Sequence, residues 1–265
     1  MTDSVLLERK GPVATLTLNR PQSLNTLDFT MMQALVERTG ALAADPSLRC
    51  VVLKGAGKHF MAGGDLHTFA EIVPLPGAER KARFTELIGR LHAAVENLQR
   101  MSHPVVASVH GAVAGFGLSL MNACDLVVAA DSAFFTSAYR HIGLTPDGGG
   151  SYTLPRIVGV KKAMEIMLLG ERFDAQQALS LGLVNRVVPA AELEAATAAV
   201  VSAIVAGPRL ATANAKRLVN ASLGNTLSRQ LDAEAESFGA CTADDDFVEG
   251  IRAFVEKRPP RFGEG

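Results

Sequence analysis

Two glycine-rich segments, each directly behind a β-like apolar run, constrain this chain more than any other feature. The first is His59-Phe60-Met61-Ala62-Gly63-Gly64-Asp65-Leu66, reached from the run Cys50–Gly55. The second is His110-Gly111-Ala112-Val113-Ala114-Gly115-Phe116-Gly117-Leu118, reached from Pro104–Val109. A strand that ends in glycines and turns into a helix leaves backbone N–H groups unpaired and pointing outward. Two such turns side by side would present a pair of donors to one oxygen, which is the arrangement of an oxyanion hole. The pattern therefore points to an enzyme working on a carbonyl.

Composition narrows the alternatives. The 265 residues are 48% hydrophobic and 20% charged, enough for one α/β core with a helical extension. The formal net charge of −1 and the absence of tryptophan speak against a nucleic-acid-binding protein, which usually carries a basic face and stacking aromatics. Cys50, Cys124 and Cys241 are odd in number, and none forms a Cys-x-x-Cys pair, so neither a disulfide framework nor a zinc ribbon is expected. The N-terminal residues show no basic region followed by an apolar stretch, and a cytoplasmic protein is expected. Pro104–Cys124 contains no charged side chain and is long enough to flag a membrane span. Its three glycines, Pro104, His110, Ser108, Ser119 and Asn122 instead predict a buried strand, turn and helix, with no membrane partner.

The periodicities predict a strand over Val13–Leu18, a helix over Leu27–Ala44 opened by Asp28, and strands over Arg49–Lys54 and Val105–Val109. Leu126–Ala130 and Ala133–Thr136 read as further short strands, and Ala70–Arg83 as a loop before a helix at Phe84–Arg100. From Lys161 onward the pattern reads as almost wholly helical, with Asp174 and Gln177 as a capping pair. Helices are expected at Glu192–Ala206, Pro208–Leu223, Leu227–Phe238 and Asp245–Lys257.

The ordered set of motifs resembles the crotonase superfamily of enoyl-CoA hydratases and isomerases. It comprises Asn19-Arg20-Pro21 with Leu24-Asn25, Phe60–Leu66, Gly111-x-x-x-Gly115-x-Gly117 and Cys124-Asp125. It continues through Gly143-Leu144-x-Pro146-x-Gly148-Gly149, Leu154-Pro155-Arg156, Gly182-Leu183-Val184 and the C-terminal Glu249-Gly250 and Ala253–Arg258 region. The resemblance implies an α/β fold with a crotonase-type ββα spiral core at residues 1–200 and a helical trimerisation region at 201–265. It also implies a homotrimer or dimer of trimers acting on an acyl-CoA, with coenzyme A as part of the substrate and no separate cofactor.

By the same resemblance, the amides of Gly64 and Phe116 would hold the thioester oxygen as a proton leaves the α-carbon. Ala62, Asp65, Leu66, Gly117, Ser119, Tyr139 and Lys257 would contact the substrate. The hydratases of this superfamily carry two glutamates, and the matching positions here are Ser119 and Tyr139. A serine hydroxyl is too weak a base, and a tyrosine has an ordinary pKa of about 10. The remaining carboxylate is Asp147, placed as in the phenylacetate-pathway ring-epoxide and enoyl-CoA isomerases. Moving a double bond needs one group that takes and returns a proton, a task suited to one carboxylate. Asp147 as acid–base in an isomerase is therefore the leading expectation. The alternatives are an enoyl-CoA hydratase, a dehalogenase-like enzyme with Asp147 as nucleophile, and a non-catalytic acyl-CoA-binding protein.

Locally, Pro146-Asp147-Gly148 is also a turn signal, and an aspartate before a helix is a common cap. A helix N-terminus lowers a carboxylate pKa, so burial must win if Asp147 is to serve as a base. Tyr139 either donates to substrate or packs, and Lys257 either meets the CoA phosphates or ends a helix. His59 and His67 lack a convincing third ligand, so no metal is assigned.

Overall fold

The computed structural model describes residues 3–263. The chain opens with an antiparallel pair, β1 (Val5–Lys10) and β2 (Val13–Leu18), followed by α1 (Phe29–Ala43) and β3 (Cys50–Gly55). After α2 (Leu66–Ala70) and the long α3 (Gly77–Arg100) come β4 (Val105–Val109), β5 (Ala112–Ala114) and α4 (Phe116–Asn122). Next are β6 (Leu126–Ala130), β7 (Phe134–Thr136), α5 (Gly150–Val158) and α6 (Val160–Leu169). The chain continues through β8 (Phe173–Asp174), α7 (Ala175–Ser180), β9 (Arg186–Val188) and α8 (Leu193–Val205). It ends in α9 (Arg209–Ser222), α10 (Leu227–Thr242) and α11 (Asp245–Val255).

Six strands form one sheet in the order β1-β2-β3-β4-β6-β9, parallel from β2 onward. The remaining three form a small sheet, β5-β7-β8. Parallel strands are buried on both faces and so read as unbroken apolar runs. The side chains nevertheless divide by parity. Val51, Leu53, Val105, Ala107, Val127 and Ala129 join the main core with Leu35 of α1 and Leu91 and Leu98 of α3. Cys50, Val106 and Val128 face the other way and pack with Val200 and Val201 of α8.

Asp28 caps α1 by accepting the Met31 N–H, and Asp174 with Gln177 makes the capping box at α7. The Pro104–Cys124 stretch is a strand, a turn, a second short strand and a helix. Among the described residues, no single helix is long and apolar enough to cross a membrane.

The structure corrects three expectations. Residues 77–83 are the first two turns of α3, not loop; Pro76 sets up the helix start and the charged residues that follow form its solvated face. The region after Lys161 contains two strands, β8 and β9, too short for a period to show. A division at residue 200 falls inside α8, whose Val200, Val201 and Val205 pack with the sheet, so the core runs to residue 205.

Helix α9 is tied to the core by a buried ion pair. The Lys216 ammonium lies 2.7 Å from Asp125 and donates to the carbonyls of Leu98 (2.8 Å) and His103 (3.2 Å). Asp125 also accepts the Val105 N–H at 2.7 Å, which joins α9 to the start of β4. Burial pushes the Asp125 carboxyl upward, and Lys216 opposes that shift. Lys216→Met would leave this carboxylate without its cation. Chemical denaturation is expected to show a loss of about 3–5 kcal/mol, the usual cost of breaking a buried pair from one side.

Candidate active site

The two glycine segments lie side by side. Phe60 N–H donates to His110 O (2.8 Å), Met61 N–H to Ala112 O (3.0 Å) and Ala114 N–H to Met61 O (2.9 Å). The His59 ring reinforces the pairing, its Nδ1 accepting the Ala112 N–H at 3.0 Å. On the other flank, Ala62 N–H donates to Leu24 O, Leu27 N–H to Gly63 O and Asp65 N–H to Leu27 O. Gly115 turns at φ +52° and gives its N–H to Thr136 O, so α4 starts with Phe116. Among the described residues, the amides of Gly64 and Phe116 donate to no protein group.

Both residues line a cavity of about 770 Å³. Its apolar wall comes from Leu27 and Met32, from Leu66 and Phe69, from Phe84 and Ile88 of α3, and from Ile142 and Leu144. The rings of Phe69 and Phe84 meet edge to face with centroids 5.0 Å apart. The polar groups of the lining include Tyr139, His92, His141, Thr145 and Asp147. Such a cavity suits a largely apolar molecule held by a few directed polar contacts.

Asp147 does not cap α5. That position belongs to Gly149, at φ +78°, and the Asp147 backbone carbonyl accepts the Gly150 N–H. Its Oδ1 instead accepts the Tyr139 hydroxyl at 2.6 Å. Among the described residues, no other residue donates a hydrogen bond to Oδ2. Burial raises the Asp147 carboxyl above its ordinary value of 3.8, outweighing the opposing effects of the Tyr139 hydrogen bond and of His92. Burial therefore wins over the helix end, whose amides give the carboxylate no hydrogen bond.

The loop that carries Asp147 reaches this position by running tight against α4. A Cβ on Gly148, itself at φ +57°, would fall 2.7 Å from Cε2 of Phe116. One on Gly150 would fall 2.7 Å from the Ser119 Oγ. Burial also raises the Tyr139 phenol, and the neighbouring Asp147 charge adds to that, so the phenol holds its proton and donates it to the carboxylate.

Of the residues expected at the site, Ala62, Gly64, Leu66, Phe116, Tyr139 and Asp147 line the cavity. Asp65, Gly117, Ser119 and Lys257 do not. Asp65 is buried and committed to structure: it caps α2 and accepts from Arg20 at 2.8 Å. Burial opposes its charge, yet the bonds from Arg20 and from the α2 amides hold its carboxyl below the ordinary value. Gly117 is a spacer; a Cβ there would lie 2.5 Å from Met61 O. Ser119 lies beneath Tyr139, its Oγ 3.4 Å from the phenol oxygen. Lys257 is exposed beyond the end of α11, at φ +55°.

Phe69, Phe84, Ile88 and His92 are cavity residues that the sequence pattern did not single out. Thr85, Ile88, Gly89 and His92 recur at helical spacing on one face of α3, and that period was the available signal.

Tyr139→Phe removes the hydrogen bond that lowers Asp147 and leaves its burial in place. The Asp147 carboxyl is then expected to titrate at higher pH than in the parent protein, read by carboxyl NMR titration. An unchanged titration would mean that the phenol does not stabilise the carboxylate.

Residues 8–265 match the family model described as enoyl-CoA hydratase/isomerase. A probable enoyl-CoA hydratase of Rhodobacter capsulatus is 38% identical over 251 residues, 94% of each chain. A 1,2-epoxyphenylacetyl-CoA isomerase of Escherichia coli is 34% identical over 262 residues, 99% of each. Among solved structures, an enoyl-CoA hydratase of Mycobacterium smegmatis superposes with a TM-score of 0.90 at 38% identity, covering 98% of both chains. With family model, relatives and fold in agreement over nearly its full length, the chain belongs to the enoyl-CoA hydratase/isomerase family of the crotonase superfamily.

Proposed function

We propose that the protein is an acyl-CoA isomerase that moves a double bond through a thioester enolate, with Asp147 as the acid–base group. The observation that carries this reading is the state of Asp147. It is a carboxylate raised by burial, with Oδ1 held by Tyr139 and Oδ2 bonded by no other residue, in the same cavity as the free amides of Gly64 and Phe116. By the resemblance, Ser119 and Tyr139 stand where hydratases of the superfamily carry glutamates, and neither is a carboxylate that could handle water in that way.

In this reading the Gly64 and Phe116 amides receive the thioester oxygen. Asp147 Oδ2 takes the α-proton of a 3-enoyl-CoA, and the electron pair moves onto that oxygen. Each well-placed donor of this kind is worth about 2.7–4 kcal/mol in the transition state. Return of a proton to the γ-carbon re-forms the carbonyl and leaves the 2-enoyl isomer. The apolar wall of Phe69, Phe84 and Ile88 receives the acyl chain and keeps the carboxylate poorly solvated. The relative named as a 1,2-epoxyphenylacetyl-CoA isomerase is consistent with an isomerising member. Assembly into trimers belongs to the same proposal. It is supported by the exposed Phe238 and Phe254, 73% and 83% accessible, and would let a neighbour's Lys257 approach the CoA phosphates.

Asp147→Asn is expected to lower 3-enoyl-CoA isomerisation by on the order of 10²–10⁴-fold, the usual share of a general acid–base group. Binding of the acyl-CoA, followed by calorimetry, should survive. Full activity in the variant, or a parent enzyme that hydrates 2-enoyl-CoA faster than it isomerises 3-enoyl-CoA, would sink the isomerase reading.

Stability should move the other way. The folded-state pKa of Asp147 lies above its unfolded value, so its ionisation disfavours the folded state at neutral pH. Asn removes that cost. The melting temperature should rise at neutral pH, and the gain should vanish as pH falls through the unfolded pKa of about 3.9.

A further inference from the structure

His92 is a buried polar group in the cavity that the mechanism above leaves unused. It stands on α3 one helical turn beyond Ile88, and both line the cavity with Asp147. Its Nε2 is buried and has no hydrogen-bond partner among the described residues. A buried, unpaired nitrogen of this kind costs about 1–3 kcal/mol, and such orphaned groups in a folded protein call for an explanation such as catalysis. The other imidazole in the lining is engaged: His141 places Nε2 3.1 Å from the Gly170 carbonyl.

The electrostatic surroundings of His92 are few. The titratable groups that share its cavity are Asp147, Tyr139 and His141. Tyr139 is committed to Asp147 Oδ1, and no hydrogen bond joins His92 to Asp147. The histidine is nevertheless near enough for its charge to oppose the burial-driven rise of Asp147. The two groups are thus separate points of one cavity, Asp147 on the loop side and the His92 ring on the α3 side.

We infer that His92 is a second proton-transfer group of this site, serving a different carbon of the acyl chain from the one served by Asp147. The inference rests on the isomerase reading and deepens it. Asp147 Oδ2 takes the α-proton, and the electron pair is delocalised through the dienolate to the thioester oxygen. Protonated His92 then gives a ring N–H proton to the γ-carbon as the π electrons form that new C–H bond. The cycle leaves a neutral imidazole and a protonated carboxyl, and a water in the cavity carries the proton from Asp147 back to His92. No oxidant, reductant or further reactant is required. Dividing the work removes the need for a single carboxylate to reach two carbons separated by two bonds.

The two half-reactions can be read separately with full-length protein and a 3-enoyl-CoA in heavy water. Deuterium entering the α-position of recovered substrate reports on Asp147, and formation of the 2-enoyl product reports on delivery at the γ-carbon. His92→Gln is expected to keep α-exchange and to lose isomerisation by on the order of 10²-fold. His92→Asn should show the same split, so a folding defect of one variant does not decide the matter. Equal loss of exchange and isomerisation in both variants, or retention of both, would overturn the role of His92. Those outcomes are distinct from failure of the isomerase reading itself, which would appear as no isomerisation by the parent enzyme or as full isomerisation by Asp147→Asn.

Discussion

The first glycine segment is held on both flanks by backbone hydrogen bonds, and the site depends on that pairing. On one side Phe60, Met61 and Ala114 pair across to the second segment; on the other Ala62, Gly63 and Asp65 pair with Leu24 and Leu27. The amides that are spent decide which remain. Phe60, Met61, Ala62 and Asp65 all donate to protein carbonyls, while Gly64 does not and lines the cavity. The second segment follows the same logic, because Ala112, Ala114 and Gly115 are used and Phe116 begins α4 with no carbonyl behind it. Two free donors in a buried wall would ordinarily be a defect. Here both line the cavity that holds Asp147.

Side chains lock this backbone from below. Arg20 reaches Asp28, Asp65 and the carbonyl of Thr26. It therefore ties the caps of α1 and α2 to one guanidinium, a fork suited to more than one oxygen. Asp65 follows Gly64 directly, so its fixed position also fixes the plane of the neighbouring peptide. This explains why an aspartate beside the free amide contributes nothing to the lining. Asp147 shows the contrasting use of the same residue type. It has one hydrogen-bonded oxygen instead of a cation, and its charge is raised by burial where that of Asp65 is lowered by pairing.

Much of this was legible in the chain. The alternation at Val13–Leu18, the Asp28 cap and the two glycine segments each report a local rule with one answer, and β4 and β6 were readable from their apolar runs alone. What was missed is set by tertiary context. β5 is three residues inside a glycine-rich stretch and exists because it pairs with the distant β7, with Met61 bridging Val113 beside it. The start of α3 carries Pro76 and a run of charges, signals that read equally as loop or as a solvated helix face. Ser119 and Gly117 belonged to the right motif but serve as packing, because α4 presents its first amide to the cavity and its later residues to the core. His92 lay outside every motif. Only the folding of α3 over the glycine segments brings its helical face to the same cavity as Asp147.

The division of labour in the cavity follows from these origins. Its amide wall is backbone, dictated by strand pairing, and any side chain at Phe116 that packs would present the same N–H. The proposed acid–base wall is made of side chains on two elements with no backbone pairing between them: the loop at Asp147 and the face of α3 at His92. Substitution there costs the sheet nothing, whereas substitution at Gly115 or Gly117 collides with positive φ or with Met61. In the proposed mechanism, enolate stabilisation is therefore tied to the fold, while the fate of the proton varies with a few side chains. Relatives named as hydratases and as isomerases share one architecture with this chain, so under the proposal the reaction is argued from Asp147 and His92 and not from the glycines.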